Sequence, residues 1–224
     1  MTRLATLALL VFAAAASSQT RYVSAPVEAV PSSAVLSTYA GQYVTDGGTI
    51  EVSDGDEGLD LIVRGAPIAA RLAAFAPASA TDARAASLLD AWLDGDLASV
   101  VTWVRTGRQD VAAESFGRYR SALLRQLGEV TASGVVGTFQ QPSGHEVTLV
   151  QIRSASEIAW ASFVWDGRDR LLTITSGLGP VALGSVRPAG GDTFEAAGVE
   201  ITFEREADGR IGALRIDDQF VAVR

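Results

Sequence analysis

The residue periodicity changes twice along the chain, and this pattern constrains the fold more than any other feature. Apolar and polar residues alternate, as in half-buried strands, at 49–53, at Leu59–Arg64 and again at Val199–Arg205. Between these stretches, apolar residues recur at helical spacing from about residue 83 to residue 127. The predicted order is β, three helices, four strands and β again, which indicates an α+β fold.

The predicted elements of the middle segment are bounded by turn and cap residues. Thr81-Asp82 forms a plausible N-cap, and Gly95 and Gly128 mark helix ends. The predicted helices cover 83–93, 97–104 and 111–127. The four strands that follow are predicted at 130–140, 146–153, 157–165 and 170–175.

The first 18 residues have the pattern of a secretory signal peptide. Arg3 supplies the positive charge, residues 4–16 are almost all apolar, and small residues precede a cleavage expected after Ala16 or Ser18. The apolar run is shorter than the roughly 20 residues that span a bilayer. Residues 19–36, with two Pro and four Ser or Thr, are predicted to be a linker. We therefore expect a soluble exported product, periplasmic or extracellular.

Composition excludes several kinds of chemistry. The 224 residues include no Cys and one His, and all 18 basic residues are Arg. The chain therefore has no disulfide, thiol nucleophile or thiolate metal site, and no lysine for Schiff-base or Ser-x-x-Lys catalysis. A net charge of −8 without a basic run argues against nucleic acid or an anionic membrane as a partner, so we expect no membrane association after signal cleavage. We expect no cofactor and no metal.

Two polar features have a simple structural interpretation. Asp54, Asp56 and Glu57 are acidic, but a calcium loop that begins at Asp54 would need Gly where Leu59 stands, so a solvated hairpin turn is favoured. His145 opens a predicted strand, where its neighbour Glu146 would point to the opposite face. We therefore expect a surface histidine.

The two outer β stretches share a set of motifs. They contain a Tyr-x-Gly-x-Tyr strand, a Pro-to-Phe step, a strand with a central Phe and an Asp-Gly turn. The residues concerned are Tyr39, Gly41, Tyr43, Pro188, Phe194, Phe203, Asp208 and Gly209. Joined across the middle segment, these stretches resemble the small lipocalin-like β-barrel module that is appended to serine beta-lactamase-like proteins of bacteria. No Gly-x-Ser-x-Gly occurs, so the resemblance implies no hydrolase activity.

The middle segment carries a different resemblance. Its order of three helices and then antiparallel strands, with Gly95-Asp96 after the first helix and Asp166-Gly167 before the last strand, resembles the nuclear-transport-factor-2-like (ketosteroid-isomerase-type) cone. The two resemblances together imply a cone of three helices and a curved antiparallel sheet, inserted in a small antiparallel β-barrel-like module. A continuous α+β domain with flanking strands is the alternative. The predicted division is 1–18 signal peptide, 19–36 linker, 37–67 first half of the β module, 68–180 cone and 181–224 second half.

Cones of this kind can enclose an apolar pocket lined by aromatic side chains. The candidates for such a lining are Trp92, Trp103, Tyr119, Phe139, Trp160 and Phe163. Aromatic stripes need no ligand to explain them, so we expect most of these residues to be core.

We expect a non-catalytic binding or interaction protein whose ligand is a small apolar molecule in the cone or a protein partner. One alternative is an enzyme of isomerase or dehydratase type, which needs a buried donor such as Tyr119 and a carboxylate base, for which Asp90 and Asp94 are the candidates. Another alternative is a purely structural protein that dimerises through its sheet.

Overall fold

A computed structural model describes residues 33–72, 79–105, 107–196, 199–216 and 220–224. The predicted signal peptide and most of the predicted linker lie outside these residues. The described part is an α+β protein in which eight strands form a closed antiparallel barrel. None of the described helices is both long and apolar enough to cross a membrane.

The barrel is built from both ends of the chain. Its first three strands come before the helices, and its last five come after the middle segment. They are Gly41–Thr45 (β1), Gly48–Asp54 (β2), Leu59–Arg64 (β3), Val181–Gly190 (β8), Thr193–Ala196 (β9), Val199–Arg205 (β10), Ile211–Ile216 (β11) and Phe220–Val223 (β12). The ring closes twice between distant segments, where β1 pairs with β12 and β3 pairs with β8. The barrel edges are therefore removed by pairing, with Val63 opposite Val181.

Alternation along the barrel strands fills the interior with side chains. Ile50 and Val52 of β2 are buried, while Glu51 between them is exposed. The same alternation in β10 buries Ile201 and Phe203. An eight-stranded barrel is just wide enough for such a packed interior. At the closure, Gly58 precedes β3 where an added Cβ would lie 2.0 Å from the carbonyl oxygen of Val186, so only glycine permits this approach.

The middle segment consists of helices followed by a four-stranded antiparallel sheet. The helices are Ala66–Leu72 (α2), Ala80–Asp94 (α3), Leu97–Val101 (α4) and Gln109–Leu127 (α5), preceded in the chain by the single turn Ser33–Leu36 (α1). The strands are Ala132–Gln140 (β4), Glu146–Arg153 (β5), Ile158–Trp165 (β6) and Leu171–Ser176 (β7). Gln140 at the end of β4 pairs with Ala182 of β8, which joins the sheet to the barrel.

The termini of α3 are fixed by local chemistry. Ser79 and Asp82 form a capping box. The Asp82 carboxylate accepts a hydrogen bond from the backbone N–H of Ser79 at 2.9 Å, and the Ser79 hydroxyl accepts one from the backbone N–H of Thr81 at 3.1 Å. Gly95 ends the helix in the left-handed conformation at φ 85°. The Arg120 guanidinium of α5 then donates to the carbonyl of Leu93 at 2.9 Å, which ties the two long helices together.

The two faces of the four-stranded sheet pack against different partners. On β5, Val150 and Ile152 belong to the core formed with α3, α4 and α5. The alternate residues Val147 and Leu149 belong to the core that fills the barrel and packs against α2. The sheet is therefore the wall shared by both cores.

The sequence predictions and the structure differ at five short elements and at the start of α3, where Ser79 rather than the predicted Thr81-Asp82 is the N-cap. Residues 33–36, predicted as linker, form α1, because Leu36 is buried in the barrel core. The predicted second helix ends at residue 101 rather than 104, since Val104 pairs with Leu171 as an isolated bridge. Helix α2 and the short strands β9 and β12 were not resolved by periodicity, because four to seven residues carry too few repeats.

Candidate functional site

Four of the six aromatic candidates lie together between the helices and the sheet. The ring of Trp92 is 5.3 Å from that of Tyr119 and 6.1 Å from that of Phe163, centroid to centroid. Phe163 continues to Trp165 at 6.5 Å, and Trp165 to Trp103 at 6.4 Å. We call these five residues the aromatic cluster.

The other two candidates lie on the opposite side of the sheet. Trp160 follows the alternation of β6 and packs against the barrel core, as does Phe139 of β4. Trp160 and Phe163 are three residues apart on one strand, and an odd spacing places them on opposite faces. The structure therefore does not bring Trp160 and Phe139 into the same group as Trp92.

The inner part of the aromatic cluster, formed by Trp92 and Phe163, is closed to solvent, and its indole N–H is hydrogen-bonded. Trp92 and Phe163 are completely buried, and the Trp92 indole N–H donates to the carbonyl of Phe116 at 3.1 Å. Tyr119 and Trp103 are only partly buried and form the rim. The accessible part of the aromatic cluster is therefore formed by Tyr119 of α5 and by Trp103, which follows α4.

The Tyr119 hydroxyl, unlike the Trp92 indole N–H, lacks a hydrogen bond within the described part of the chain. Its oxygen is inaccessible to solvent and has no hydrogen-bond partner among the residues that the structure describes. Burial raises the pKa of Tyr119 to about 12, so the hydroxyl stays protonated at physiological pH and is available as a donor. An unpartnered buried hydroxyl costs roughly 1–3 kcal/mol, which makes this position conspicuous.

The carboxylates considered as general bases do not face this hydroxyl. Asp90 and Asp94 are both exposed on α3. A base must come within hydrogen-bond reach of the substrate proton that it removes. The arrangement offers a donor at Tyr119 but places both candidate bases in solvent.

A chain of side-chain hydrogen bonds, which we call the polar relay, links the sheet to α3. The periodicity of the sequence does not predict it. The indole N–H of Trp165 donates to the Thr148 hydroxyl at 3.0 Å, and Thr138 donates to the Asp82 carboxylate at 2.6 Å. The two threonine oxygens are 2.7 Å apart, and since Thr138 has already donated its proton to Asp82, Thr148 must be the donor between them. Every hydroxyl in the relay donates once and accepts once, so we assign it a structural role.

The two polar features of the sequence occupy surface positions. Glu57 of the acidic turn forms an ion pair with Arg187, and Asp54 and Asp56 are exposed. His145 is half-buried, with its Nδ1 3.4 Å from the Ser143 hydroxyl. Within the described ranges, no group of three His, Asp or Glu side chains is placed to hold a metal ion.

A second surface feature was not identified from the sequence. A groove of about 420 Å³ lies at the β6–β7 turn and is lined by Arg105, Asp166, Gly167, Arg168 and Arg170. We call it the arginine groove. The arginines of the turn are adjacent in sequence, but Arg105 is more than 60 positions away, and only the bridge between Val104 and Leu171 brings it there.

Comparisons of the chain with protein-family models, with curated proteins and with solved structures found no match.

Proposed function

We propose that this is an exported, non-catalytic binding protein in which the barrel is the framework and the helices and sheet of residues 80–176 carry the ligand. The ligand is a small, neutral, mainly apolar molecule with one hydrogen-bond acceptor. Tyr119 carries this proposal, because a buried donor without a partner gains a hydrogen bond when such a ligand binds. The exposure of Asp90 and Asp94 favours binding over isomerase or dehydratase chemistry.

The fold proposed for this arrangement is a cone inserted in a split lipocalin-like module. The order of α3, α4 and α5 before four antiparallel strands supports the cone. Pairing of β3 with β8 supports the split module, since residues on either side of the segment lie next to each other. A dimer through the sheet is not favoured, because the face without helices packs against the barrel core.

The export proposal rests on the residue pattern of 1–18. The test is mass spectrometry of the protein recovered from the periplasm or medium of a bacterial host. We expect a mature chain that begins at residue 17 or residue 19. An intact Met1 in the exported fraction would contradict it.

The binding proposal is tested with Nile red, a neutral apolar dye that carries one carbonyl acceptor. We expect saturable enhancement of dye fluorescence together with quenching of tryptophan emission, since Trp92 contacts Tyr119. Tyr119→Phe removes only the hydroxyl and should weaken dye binding roughly tenfold, the usual value of one hydrogen bond in an apolar site.

Tyr43→Phe is the matched control. Tyr43 is also a buried tyrosine whose pKa burial raises to about 12, but its hydroxyl donates to the Tyr39 carbonyl at 2.6 Å inside the barrel. Measured well below both unfolding temperatures, Tyr43→Phe should leave dye affinity unchanged. The proposal fails if dye binding does not saturate, or if Tyr119→Phe binds as tightly as the unmodified protein.

A further inference from the structure

We propose that the arginine groove binds a doubly charged oxyanion, a phosphate group, through the guanidinium groups of Arg105, Arg168 and Arg170. This site is separate from the aromatic cluster and does not depend on it. The groove volume of about 420 Å³ is sufficient for a small phosphorylated molecule.

The guanidinium groups of this groove make no hydrogen bond or ion pair to a described residue, whereas most other described arginines do. The Asp166 carboxylate is near enough to attract those of Arg168 and Arg170 electrostatically, and it is counted in the charge balance below. Most described arginines outside the groove form an ion pair or a hydrogen bond to an oxygen acceptor, such as Arg187 with Glu57 and Arg215 with Glu204. Within the part of the chain that the structure describes, five guanidinium groups make no hydrogen bond or ion pair to a described residue. They belong to Arg105, Arg108, Arg125, Arg168 and Arg170. Three of the five line a single groove, although the chain carries a net charge of −8.

The backbone that presents these arginines is fixed before any ligand arrives. One carboxylate oxygen of Asp166 accepts the backbone N–H groups of Arg168 at 2.8 Å and Arg170 at 3.0 Å. These hydrogen bonds, that from Arg170 first, lower the pKa of Asp166. Asp169 completes the turn at φ 61°, a left-handed conformation that Asp tolerates better than most residues. The turn therefore fixes the backbone of Arg168 and Arg170, so that a ligand has to order only their side chains.

Arg105 is brought to the same groove by the connection between α4 and α5. The backbone N–H of Leu171 donates to the carbonyl of Trp103 at 2.9 Å, and Val104 pairs with Leu171. The segment before Arg105 is therefore attached to the first residue of β7, directly beside Arg170. Two separate elements contribute cations to one groove, which is the arrangement that a chelated anion requires.

The charge balance selects the ligand class. Asp166 is the one carboxylate among the lining residues, so three guanidinium groups leave an excess of two positive charges. Asp169, next in the turn, is already paired with Arg84 at 2.7 Å. A dianion neutralises this excess and a single carboxylate does not, while the planar guanidinium fork matches the oxygens of a phosphate group.

Isothermal titration calorimetry on the full chain tests the site, with chloride used to keep the ionic strength constant. Sodium phosphate and glycerol 2-phosphate are the two probes. We expect saturable one-to-one binding of at least one of them. Tighter binding of glycerol 2-phosphate would assign the site to a phosphorylated organic molecule, and tighter binding of inorganic phosphate to the free ion.

Three variants locate the binding. Arg168→Gln and Arg105→Gln, from the two elements, should each weaken binding by roughly three- to tenfold, the effect of one charge-assisted contact at an exposed site. Arg125→Gln is the matched control, because Arg125 is exposed and unpaired among the described residues but does not line the groove. The proposal is overturned if neither probe binds saturably, or if Arg125→Gln weakens binding as much as Arg168→Gln.

Discussion

The barrel and the middle segment differ in whether certain polar side chains have hydrogen-bond partners. In the barrel, the Tyr43 hydroxyl donates to the Tyr39 carbonyl, and the Tyr39 hydroxyl donates to Asp192 at 2.7 Å. Arg205 completes the group with two bonds to the Asp192 carboxylate. In the middle segment, the Tyr119 hydroxyl has no partner among the described residues, and the arginine groove contains three unpaired guanidinium groups.

This difference separates the residues that hold the fold from those that are free to bind. Buried polar groups are normally hydrogen-bonded, so a hydroxyl without a partner indicates a requirement other than stability. The middle segment is not loosely built, because its relay from Trp165 to Asp82 is fully paired. Two of the places where unpaired groups lie are the Tyr119 hydroxyl at the aromatic cluster and the three guanidinium groups of the arginine groove, and these are the positions at which we propose that ligands bind.

The largest expected effect tests whether the two regions unfold as one unit. Phe203 is buried in the barrel against Tyr39, Tyr43 and Phe194, so Phe203→Ala should cost about 3–5 kcal/mol. All four tryptophans lie between residues 92 and 165, outside the barrel strands. Urea unfolding followed by tryptophan fluorescence should nevertheless show the full loss, because β5 contributes to both cores.

Phe163→Ala is the matched change in the other core, where Phe163 is completely buried. It should lower the same midpoint by a similar amount. If Phe203→Ala leaves the tryptophan-detected midpoint where it was, the barrel and the middle segment unfold independently, and the shared sheet does not couple them.

The next effect concerns the polar relay that links Trp165, Thr148, Thr138 and Asp82. Thr148→Val keeps the shape of the side chain but leaves the Trp165 indole N–H and the Thr138 hydroxyl without their bonds to Thr148. We expect a loss of about 2–3 kcal/mol in the free energy of unfolding. Thr175→Val makes the same chemical change at an exposed position of β7 and should stay within about 0.5 kcal/mol. Equal effects of the two substitutions in urea unfolding would remove the structural role assigned to the relay.

Tyr43→Phe and Tyr119→Phe each remove one hydroxyl group, the first from the barrel and the second from the middle segment. Tyr43→Phe removes a bonded hydroxyl and should lower stability by about 1 kcal/mol. Tyr119→Phe removes an unpartnered one and should leave the unfolding temperature unchanged or raise it. Differential scanning calorimetry of the ligand-free variants measures both. A loss of stability in Tyr119→Phe equal to that in Tyr43→Phe would mean that the Tyr119 hydroxyl has a stabilising partner.

The sequence predicted the elements where the pattern was long and local. The hairpin of β2 and β3 and the hairpin of β10 and β11 are confirmed, since each shows clean alternation around a turn. Helix α3 is confirmed with its Gly95 end, but it begins at Ala80 after the N-cap Ser79 rather than at the predicted cap Thr81-Asp82, and strand β5 has the predicted bounds. Closure of the barrel depends on β1 with β12 and β3 with β8, pairings between segments more than 100 residues apart, and periodicity does not specify such partners.

The candidate sites show the same limit. Spacing identified Trp92, Tyr119 and Phe163 as aromatic residues of the helices and sheet, and they do meet. The alternation of β6 could have placed Trp160 on the other face, since its distance from Phe163 is odd. The arginine groove could not be predicted from the sequence, because Arg105 approaches the β6–β7 turn only through the isolated bridge between Val104 and Leu171.

The smallest expected effect is the pH dependence of the barrel group around Asp192. The Arg205 guanidinium, by hydrogen bonding, holds the pKa of the Asp192 carboxyl below its ordinary value of 3.8, and the Tyr39 hydroxyl adds to this against the opposing effect of burial. Because the folded pKa is lower than the unfolded one, the pair stabilises the barrel above about pH 4 and loses this contribution as the pH falls further. Asp192→Asn should therefore lower the unfolding temperature at pH 7, and the gap from the unmodified protein should close as the pH falls below about 4. Arg205→Gln should show the same closure in calorimetry, and the double variant should add little to either, since both substitutions break one pair. A gap that stays constant down to pH 2 would show that the carboxylate charge does not stabilise the barrel, and the contrast with the unpaired arginines of the groove would then rest on geometry alone.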